Sequence, residues 1–447
     1  MMPSRAATEQ RRLLCLAVLG TAVTLAAMAA PSLHRAFGGM AWLALLLGWT
    51  LIVLLAHRIG SRGSGPAALI VILATAALMR LALLLEPPYL STDIYRYVWD
   101  GRVQAAGINP YLHVPKAPEL AHLRDDTIYP HINRAGYAPT IYPPVAEMLF
   151  WLFARCGDSV LAMKLGLLGL EALGIATLLG IQRIMAIPSA SVVAYAWHPL
   201  PVWEIAGNGH IDAAMCGLLL MGLWLFLRGR ELPAGLLVAA AAFVKPTALL
   251  AMPVLWRPWN WRLPVLLAAV GIAVYLPYLS AGKGVLGFLA GYVVEEGLSS
   301  GGGFRYLAML QRLMGQIPGG SAIYVLCAAA VLIGLALKAG FRLDRSAAAS
   351  IRAIGVLLIA FMLLLTPHYP WYYLVLGPLL VLSPWLTPWV LMTGGFVLYD
   401  VIPDDRMPPF LLRETALHLT ALAAAGYDLW LAQRPHLKTP QRVEAHP

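Results

Sequence analysis

The sequence predicts an all-α fold: a polytopic bundle of transmembrane helices with one large extracytoplasmic loop near its start. Three observations point there. Sixty per cent of the 447 residues are hydrophobic and only 12% are charged, giving a mean hydropathy of +0.72, outside the range of soluble domains. Apolar runs of bilayer-spanning length recur along the chain. Basic residues fall mostly in the short polar gaps between those runs, as cytoplasmic loops require. The net charge of +10 is thereby explained by orientation, and nucleic acid is not expected as a partner.

The first element follows MMPSRAATEQRR, an N-terminus leading into an apolar run of about 18 residues with no small-residue cleavage pattern closing it. It is read as an uncleaved first helix. The spanning segments, this one included, are expected near 12–30, 40–57, 66–86, 160–182, 188–205, 211–228, 263–280, 320–338, 348–366 and 410–431. Shorter apolar pieces lie at 141–155, 232–246, 247–256, 371–386 and 388–400. No internal repeat or soluble appended domain interrupts them. The chain is expected to be one domain, residues 1–447, ending in a short cytoplasmic tail at 432–447.

Sidedness follows from Arg5, Arg11 and Arg12, Arg58 and Arg62, Arg228 and Arg230, Arg257 and Arg262, Lys338, Arg342 and Arg345, and the tail residues Arg434, Lys438 and Arg442. Starting inside, the first three crossings place residues 87–140 outside. Every basic cluster then falls inside provided that 141–155, YPPVAEMLFWLFARC, dips into the membrane or lies along it without crossing, for a total of about thirteen crossings. The outer face then gathers the loop 87–140, the GNGHID turn at 207–212, the loop 281–318 and PHYPWYY at 367–373. The chemically unusual residues share one side.

Within STDIYRYVWDGRVQAAGINPY, residues 91–111, Asp93 stands just past an apolar run, where partial desolvation favours a raised pKa and suits a general base. A helix N-cap explains the same residue, and both roles stay open. Tyr95, Tyr97 and Trp99 suit an interfacial aromatic belt, which leaves unexplained their interleaving with Arg96, Asp100 and Arg102 and the rigid turn at Asn109. Aromatic faces and carboxylates suit sugars, and arginines suit phosphate. A phosphorylated sugar on a lipid would use all three.

In WHPLPVWEIAGNGHIDAAM, residues 197–215, Asn208, His210 and Asp212 meet at a glycine-rich junction of two helices. A zinc site needs more ligands than His210 and Asp212 supply, and a structural hydrogen-bonding role competes. Lys245, in AAAAFVKPTALLAMP, is a lysine inside an apolar run and functional by default, although snorkelling competes. At an outer turn it would meet a lipid phosphate as a point charge. His368, in TPHYPWYYLVLGP, is a candidate substrate contact beside Tyr369, Trp371 and Tyr372. Cys15, Cys156, Cys216 and Cys327 show no metal or redox spacing and read as small apolar residues.

DIYRYVWDGRVQAAGINPY followed by IYPHINRAGYAPTIYPPVAE resembles the first outer loop of bacterial polyprenyl-phosphate-mannose-dependent mannosyltransferases, members of the C superfamily of integral-membrane glycosyltransferases. HPLPVWEIAGNGHIDAAM and FVKPTALLAMP resemble the corresponding downstream segments. The resemblance covers about three-quarters of the chain and is strongest over 91–147. It implies a helical bundle with an outer loop packed on its face, a polyprenyl-phosphate sugar donor, inversion at the anomeric carbon, and Asp93 as the base. Superfamily members often carry two adjacent acids there. Here Thr92 takes the preceding place, so Asp93 would act alone or with Asp100. No cofactor and no metal are implied, because the lipid monophosphate is already a good leaving group.

The expected function is therefore hexosyl transfer, mannosyl by the resemblance, to a glycan or lipid-linked acceptor on the outer face of the cytoplasmic membrane. Asp93 would deprotonate the acceptor. Lys245 with Arg96 or Arg102 would hold the donor phosphate, while Tyr95, Trp99, Asn109, His210 and Asp212 shape the sugar and acceptor sites. A secondary transporter or lipid flippase is the rival class, since broken helices and an intramembrane lysine also mark transport sites. Transport sites lie near the midplane, whereas these residues gather at one surface. A ligase using a lipid-diphosphate oligosaccharide is the nearer alternative among enzymes.

Overall fold

The computed structural model describes residues 5–63, 65–258, 260–399 and 408–433. The tail basic residues Arg434, Lys438 and Arg442 lie outside them. Among the described residues the secondary structure is entirely helical. Three long helices open the chain: α1 (Arg5–Phe37), α2 (Gly39–Gly60) and α3 (Pro66–Leu84), with both α2 and α3 packed on α1. Gly38, at φ 78°, takes the left-handed conformation that separates α1 from α2. Pro66 starts α3, where its missing N–H has no helical partner to lose. Along α1, Leu16, Val23, Ala27 and Ala30 are buried while Leu14, Val18, Leu25 and Met28 are exposed, one stripe toward protein and one toward lipid.

Among the described residues, seven helices are long and apolar enough to cross a membrane, or eight if one sharply bent pair counts as a single span. The chain is a membrane protein. The expected count of about thirteen crossings is not matched by full-length helices, because Glu231–Ala242, Pro246–Leu255, Pro370–Leu382 and Thr387–Leu398 are shorter pieces. The largest departure is at 188–205. Pro188, Pro199 and Pro201 break this apolar run into short turns, 189–192, 193–196, 199–201 and a π-helical turn at 202–207. Every residue from 190 to 217 is buried. Its apolarity reflects burial in protein as much as contact with lipid.

Irregular backbone at that depth needs partners for its carbonyls, and neighbouring helices supply them. Trp49 Nε1 donates to the Trp197 carbonyl at 2.8 Å, Trp197 Nε1 to the Ile72 carbonyl at 2.8 Å, and Arg80 Nη1 to the Ala196 carbonyl at 2.7 Å. Arg80 also forms a buried ion pair at 2.6 Å with Glu171 of α6 (Val160–Ile184), tying α3 to α6.

Two shorter amphipathic helices flank the loop at 106–143: α4 (Asp93–Ala105) and α5 (Pro144–Cys156), packed face to face. Tyr97 stacks on Phe150 with ring centroids 4.5 Å apart, and Gly101 lets the Phe150 carbonyl come close. At 13 residues, α5 measures about 20 Å at 1.5 Å per residue, short of a bilayer core. Beyond Arg262 the chain runs through Arg262–Tyr275, a 3₁₀ stretch to Leu286 and Leu289–Glu295. Helices Gly320–Gly340, Ala347–Leu365 and Phe410–Ala432 complete the bundle. Arg305 forms an ion pair with Glu414 of the last helix.

Candidate active site

The local sequence brings four separated stretches to one place. The start of α4 presents Asp93, and the loop before α5 presents Asn133 and Arg134. Arg134 has φ 56°, a left-handed conformation costly for a non-glycine residue, and both side chains reach the same cavity. Helix Glu231–Ala242 ends ahead of Pro246, leaving Lys245 extended at φ −151°. The segment Pro199–Gly207 and helix Asp212–Leu227 form a bent pair with an angle of 119°. Gly209, at φ 73°, permits the reversal between them, and a Cβ there would meet the Ile94 side chain. Asp212 then opens the helix.

These residues line a cavity of about 1000 Å³. Asp93 and Lys245 share it, with Asp212, Arg134, Glu295 and Glu296 as its other charged residues and Tyr97, Tyr142, Tyr292, Tyr369, Trp371 and Tyr372 among its aromatic walls. Leu249, Leu250, Leu286, Leu289 and Phe361 make another part of the wall apolar. Leu249, Leu286 and Leu289 are also exposed at the protein surface, so the cavity borders the outer apolar shell.

Asp93 is not a cap. Thr92 is the N-cap residue and makes no side-chain cap bond, whereas Asp93 Oδ1 accepts from Asn133 Nδ2 at 2.9 Å. Burial pushes its carboxyl above the usual carboxylate range, and the near charge of Asp212 adds to this; the Asn133 hydrogen bond, Arg134 and Lys245 pull against it. The other carboxylate oxygen faces His210 Nδ1 at 3.9 Å. His210 is buried, stacks on Trp371 at 4.0 Å, and has Nε2 3.3 Å from Glu204. Lys245 Nζ donates to both oxygens of Asp212, at 2.7 and 2.9 Å, and sits 3.9 Å above the Tyr372 ring. Tyr372 and Tyr292 hydroxyls meet at 2.7 Å, and Arg134 pairs with Glu295 at 2.6 Å.

Several residues expected at the site are placed elsewhere by their own partners. Arg96 is committed to Asp100 at 2.8 Å and to the Ala138 carbonyl at 3.0 Å, so neither Arg96 nor Asp100 lines the cavity. The second acid near Asp93 is Asp212. Arg102 binds Asp125 and Asp158, each at 2.8 Å, and fastens the loop between α4 and α5. Trp99 is buried against Tyr129, and Tyr95 packs on His131. Asn109 donates to the Tyr278 carbonyl and Ser280 Oγ beside a separate cleft. Asn208 donates to Glu204 and Tyr399 behind the cavity. His368 turns away toward the Gly303 carbonyl at 3.1 Å, while its neighbour Tyr369 lines the wall.

The residues that sequence reasoning missed are Asn133 and Arg134, Glu295 and Glu296, and Glu204 with its hydroxyl donor Tyr399. Glu204 carried a usable signal, a carboxylate in an apolar run. Among the described residues no three His, Cys, Asp or Glu side chains gather as a metal site.

Residues 6–260, more than half of the chain and including Asp93, Asn133, Arg134, Glu204, His210, Asp212 and Lys245, match a family model described as alpha-(1->6)-mannopyranosyltransferase, N-terminal domain. The chain is 26% identical over 353 residues to alpha-(1->6)-mannopyranosyltransferase A of Mycobacterium tuberculosis (strain ATCC 25618 / H37Rv), covering 72% of this chain and 66% of that protein. It is 28% identical over 237 residues to alpha-(1->6)-mannopyranosyltransferase B of Corynebacterium glutamicum, covering 46% of this chain and 38% of the relative. It is also 27% identical over 190 residues to alpha-(1->6)-mannopyranosyltransferase A of the latter organism, covering 40% and 37%. In each case the chain spans less than two-thirds of the relative's length. No solved structure matches the chain. On the match across 6–260, the chain belongs to the alpha-(1->6)-mannopyranosyltransferase family.

Proposed function

We propose that the protein is an inverting mannosyltransferase of the cytoplasmic membrane, working on its outer face with a polyprenyl-phosphate mannose donor and a glycan or lipid-linked acceptor. The observation that carries this is the shared cavity: a carboxyl made more basic by burial and a lysine line one space of about 1000 Å³ that is polar and aromatic on one part of its wall and apolar on another. Such a space suits a sugar phosphate with an isoprenoid attached. Asp93 takes the proton of the acceptor hydroxyl as that oxygen attacks the anomeric carbon, and the lipid phosphate leaves from the opposite face. Lys245, screened by Asp212 until the donor arrives, and Arg134 are the cavity cations able to stabilise the charge gathering on that phosphate. The aromatic wall holds the sugar ring. No cofactor or metal enters the reaction.

The test is transfer by the purified full chain, without any ion gradient, from a panel of labelled polyprenyl-phosphate mannose, glucose, galactose and arabinose. Mannosyl transfer that is lost in Asp93→Asn with donor binding kept is the expected result. Normal turnover in Asp93→Asn removes the base assignment, and no transfer from any donor removes the enzyme.

A further inference from the structure

Six charged side chains line the cavity, and five of them are accounted for. Lys245 pairs with Asp212 at 2.7 Å, Arg134 pairs with Glu295 at 2.6 Å, and Asp93 is the proposed base. Glu296 remains. Its side chain is 13% exposed, and it lines the cavity without a paired Lys or Arg among the described residues. The closest basic nitrogen is His368 Nδ1, 4.0 Å from Oε2 and too far to donate. His368 Nε2 lies 3.1 Å from the Gly303 carbonyl, which needs its proton there, and burial together with the charge of Arg305 holds the ring below its ordinary pKa. Glu296 Oε1 accepts one long bond, from the Tyr369 hydroxyl at 3.3 Å, while the nearby Tyr292 hydroxyl is engaged with Tyr372 at 2.7 Å.

The backbone holds this carboxylate in place. Glu296 closes helix Leu289–Glu295, its N–H bonded to the Tyr292 carbonyl at 2.9 Å. Gly297 then turns at φ 66°, and Gly303 N closes the turn on the Gly297 carbonyl at 3.0 Å. Negative charge at a helix C-terminus is unfavourable, so an unpaired acid here costs stability and calls for a ligand contact. Tyr369 carries the wall from Glu296 back to Asp93. It stacks on Trp371 at 4.7 Å, Trp371 stacks on His210 at 4.0 Å, and His210 faces Asp93. The charges of both acids are felt at the Tyr369 hydroxyl.

We infer that Glu296 is a specificity-determining residue that receives ring hydroxyls of the acceptor, and that the acceptor is therefore a saccharide. The inference rests on the proposed transferase function. A carboxylate with lone pairs to spare accepts from hydroxyl groups, and such charge-assisted bonds are roughly twice as strong as neutral ones. The Tyr369 and Trp371 rings beside it supply the apolar surface on which a pyranose packs its C–H face. A phosphate cannot take this place, because like charges repel across a cavity walled by protein. The donor phosphate is thereby directed to Lys245, which sits over Tyr372. An inverting displacement puts the acceptor oxygen opposite that phosphate, so the acid that repels phosphate serves the acceptor's side. What it holds there is neutral and rich in hydroxyls.

Transfer by the purified full chain from polyprenyl-phosphate mannose to octyl mannoside, and to its monodeoxy forms that each lack one ring hydroxyl, tests this. In Glu296→Gln the KM for octyl mannoside is expected to rise roughly tenfold or more, with kcat and donor KM unchanged. One monodeoxy acceptor, already poor with the parent, is expected to lose nothing further in the variant, because its missing hydroxyl is the partner of the missing charge. A merely structural role weakens every acceptor alike. Glu296→Asp keeps the charge but draws it back from the sugar, so it raises the acceptor KM too, and it decides the matter should Glu296→Gln fail to fold. An unchanged acceptor KM, a raised donor KM in its place, or an equal loss with every acceptor overturns the inference and leaves the transferase standing. So does a parent that mannosylates a membrane lipid extract but not octyl mannoside. A parent that transfers nothing overturns both.

Discussion

The Lys245–Asp212 pair yields a prediction whose size follows from its surroundings. Asp212 is 1% exposed and accepts both of its short hydrogen bonds from Lys245 Nζ, while the lysine side chain is 17% exposed toward the cavity. Lys245→Met leaves a buried carboxylate without its cation. Breaking a buried pair from one side costs about 3–5 kcal/mol, and the partial access of this cavity places the expected loss near the lower end, about 3 kcal/mol. That is roughly a hundredfold in the folding equilibrium. Asp212→Asn costs less, because the freed ammonium keeps its place over Tyr372 and turns into cavity water. In the double variant the charges vanish together, so most of the loss is recovered and the two single costs fail to add by about 1–3 kcal/mol. Equilibrium unfolding in detergent measures stability, and turnover with polyprenyl-phosphate mannose measures function. Activity stays lost in the double variant, since the cation proposed to meet the phosphate is gone. Additivity within about 0.5 kcal/mol refutes the pair as a unit, and recovered turnover refutes its contact with the donor.

Three further outcomes follow. Turnover falls as pH drops through the raised Asp93 pKa, because the base works only when ionised; Asn133→Ala removes a hydrogen bond that favours the ionised form, so the acid limb of the rate profile moves to higher pH, and an unmoved limb argues against Asp93. Gly287→Ala strains a left-handed residue at φ 58° by about 1–2 kcal/mol and drives a methyl into the Thr140 carbonyl, which accepts from Phe288 N at 3.0 Å; a lower melting temperature and a raised donor KM are expected, and an unchanged KM places this contact outside the substrate path. Arg96→Gln lowers the melting temperature through its broken pair with Asp100 while leaving donor KM unchanged, and a raised KM returns Arg96 to the phosphate.

Much of the candidate site was legible because its residues violate their local context. Lys245 interrupts an apolar run, and Asp93 follows one closely, so each stands out by composition alone. The arginines of the same stretch were misjudged for a physical reason: Arg96 finds Asp100 one helical turn away, and Arg102 reaches Asp125 and Asp158 in other segments. Composition announces a cation but not whether its partner is already in the protein. Asn133 and Arg134 carry no such announcement, since a polar pair in a polar loop is ordinary. For the fold, hydropathy found the long helices well. It overcounted at 188–205 because a segment buried in protein and one buried in lipid have the same apolar content, and only the clustered prolines hint that it is broken.

The buried contact between Arg80 and Glu171 also bears on how the chain is made. The two lie 91 residues apart, so α3 enters the bilayer before its counter-ion has been translated. At elongation speeds of roughly 5–20 residues per second the guanidinium waits about 5–18 seconds, carrying an insertion penalty of about 2.5–3.5 kcal/mol. During that interval the first three helices hold an uncompensated buried charge, so the unfinished chain is at its least stable between the synthesis of α3 and that of α6.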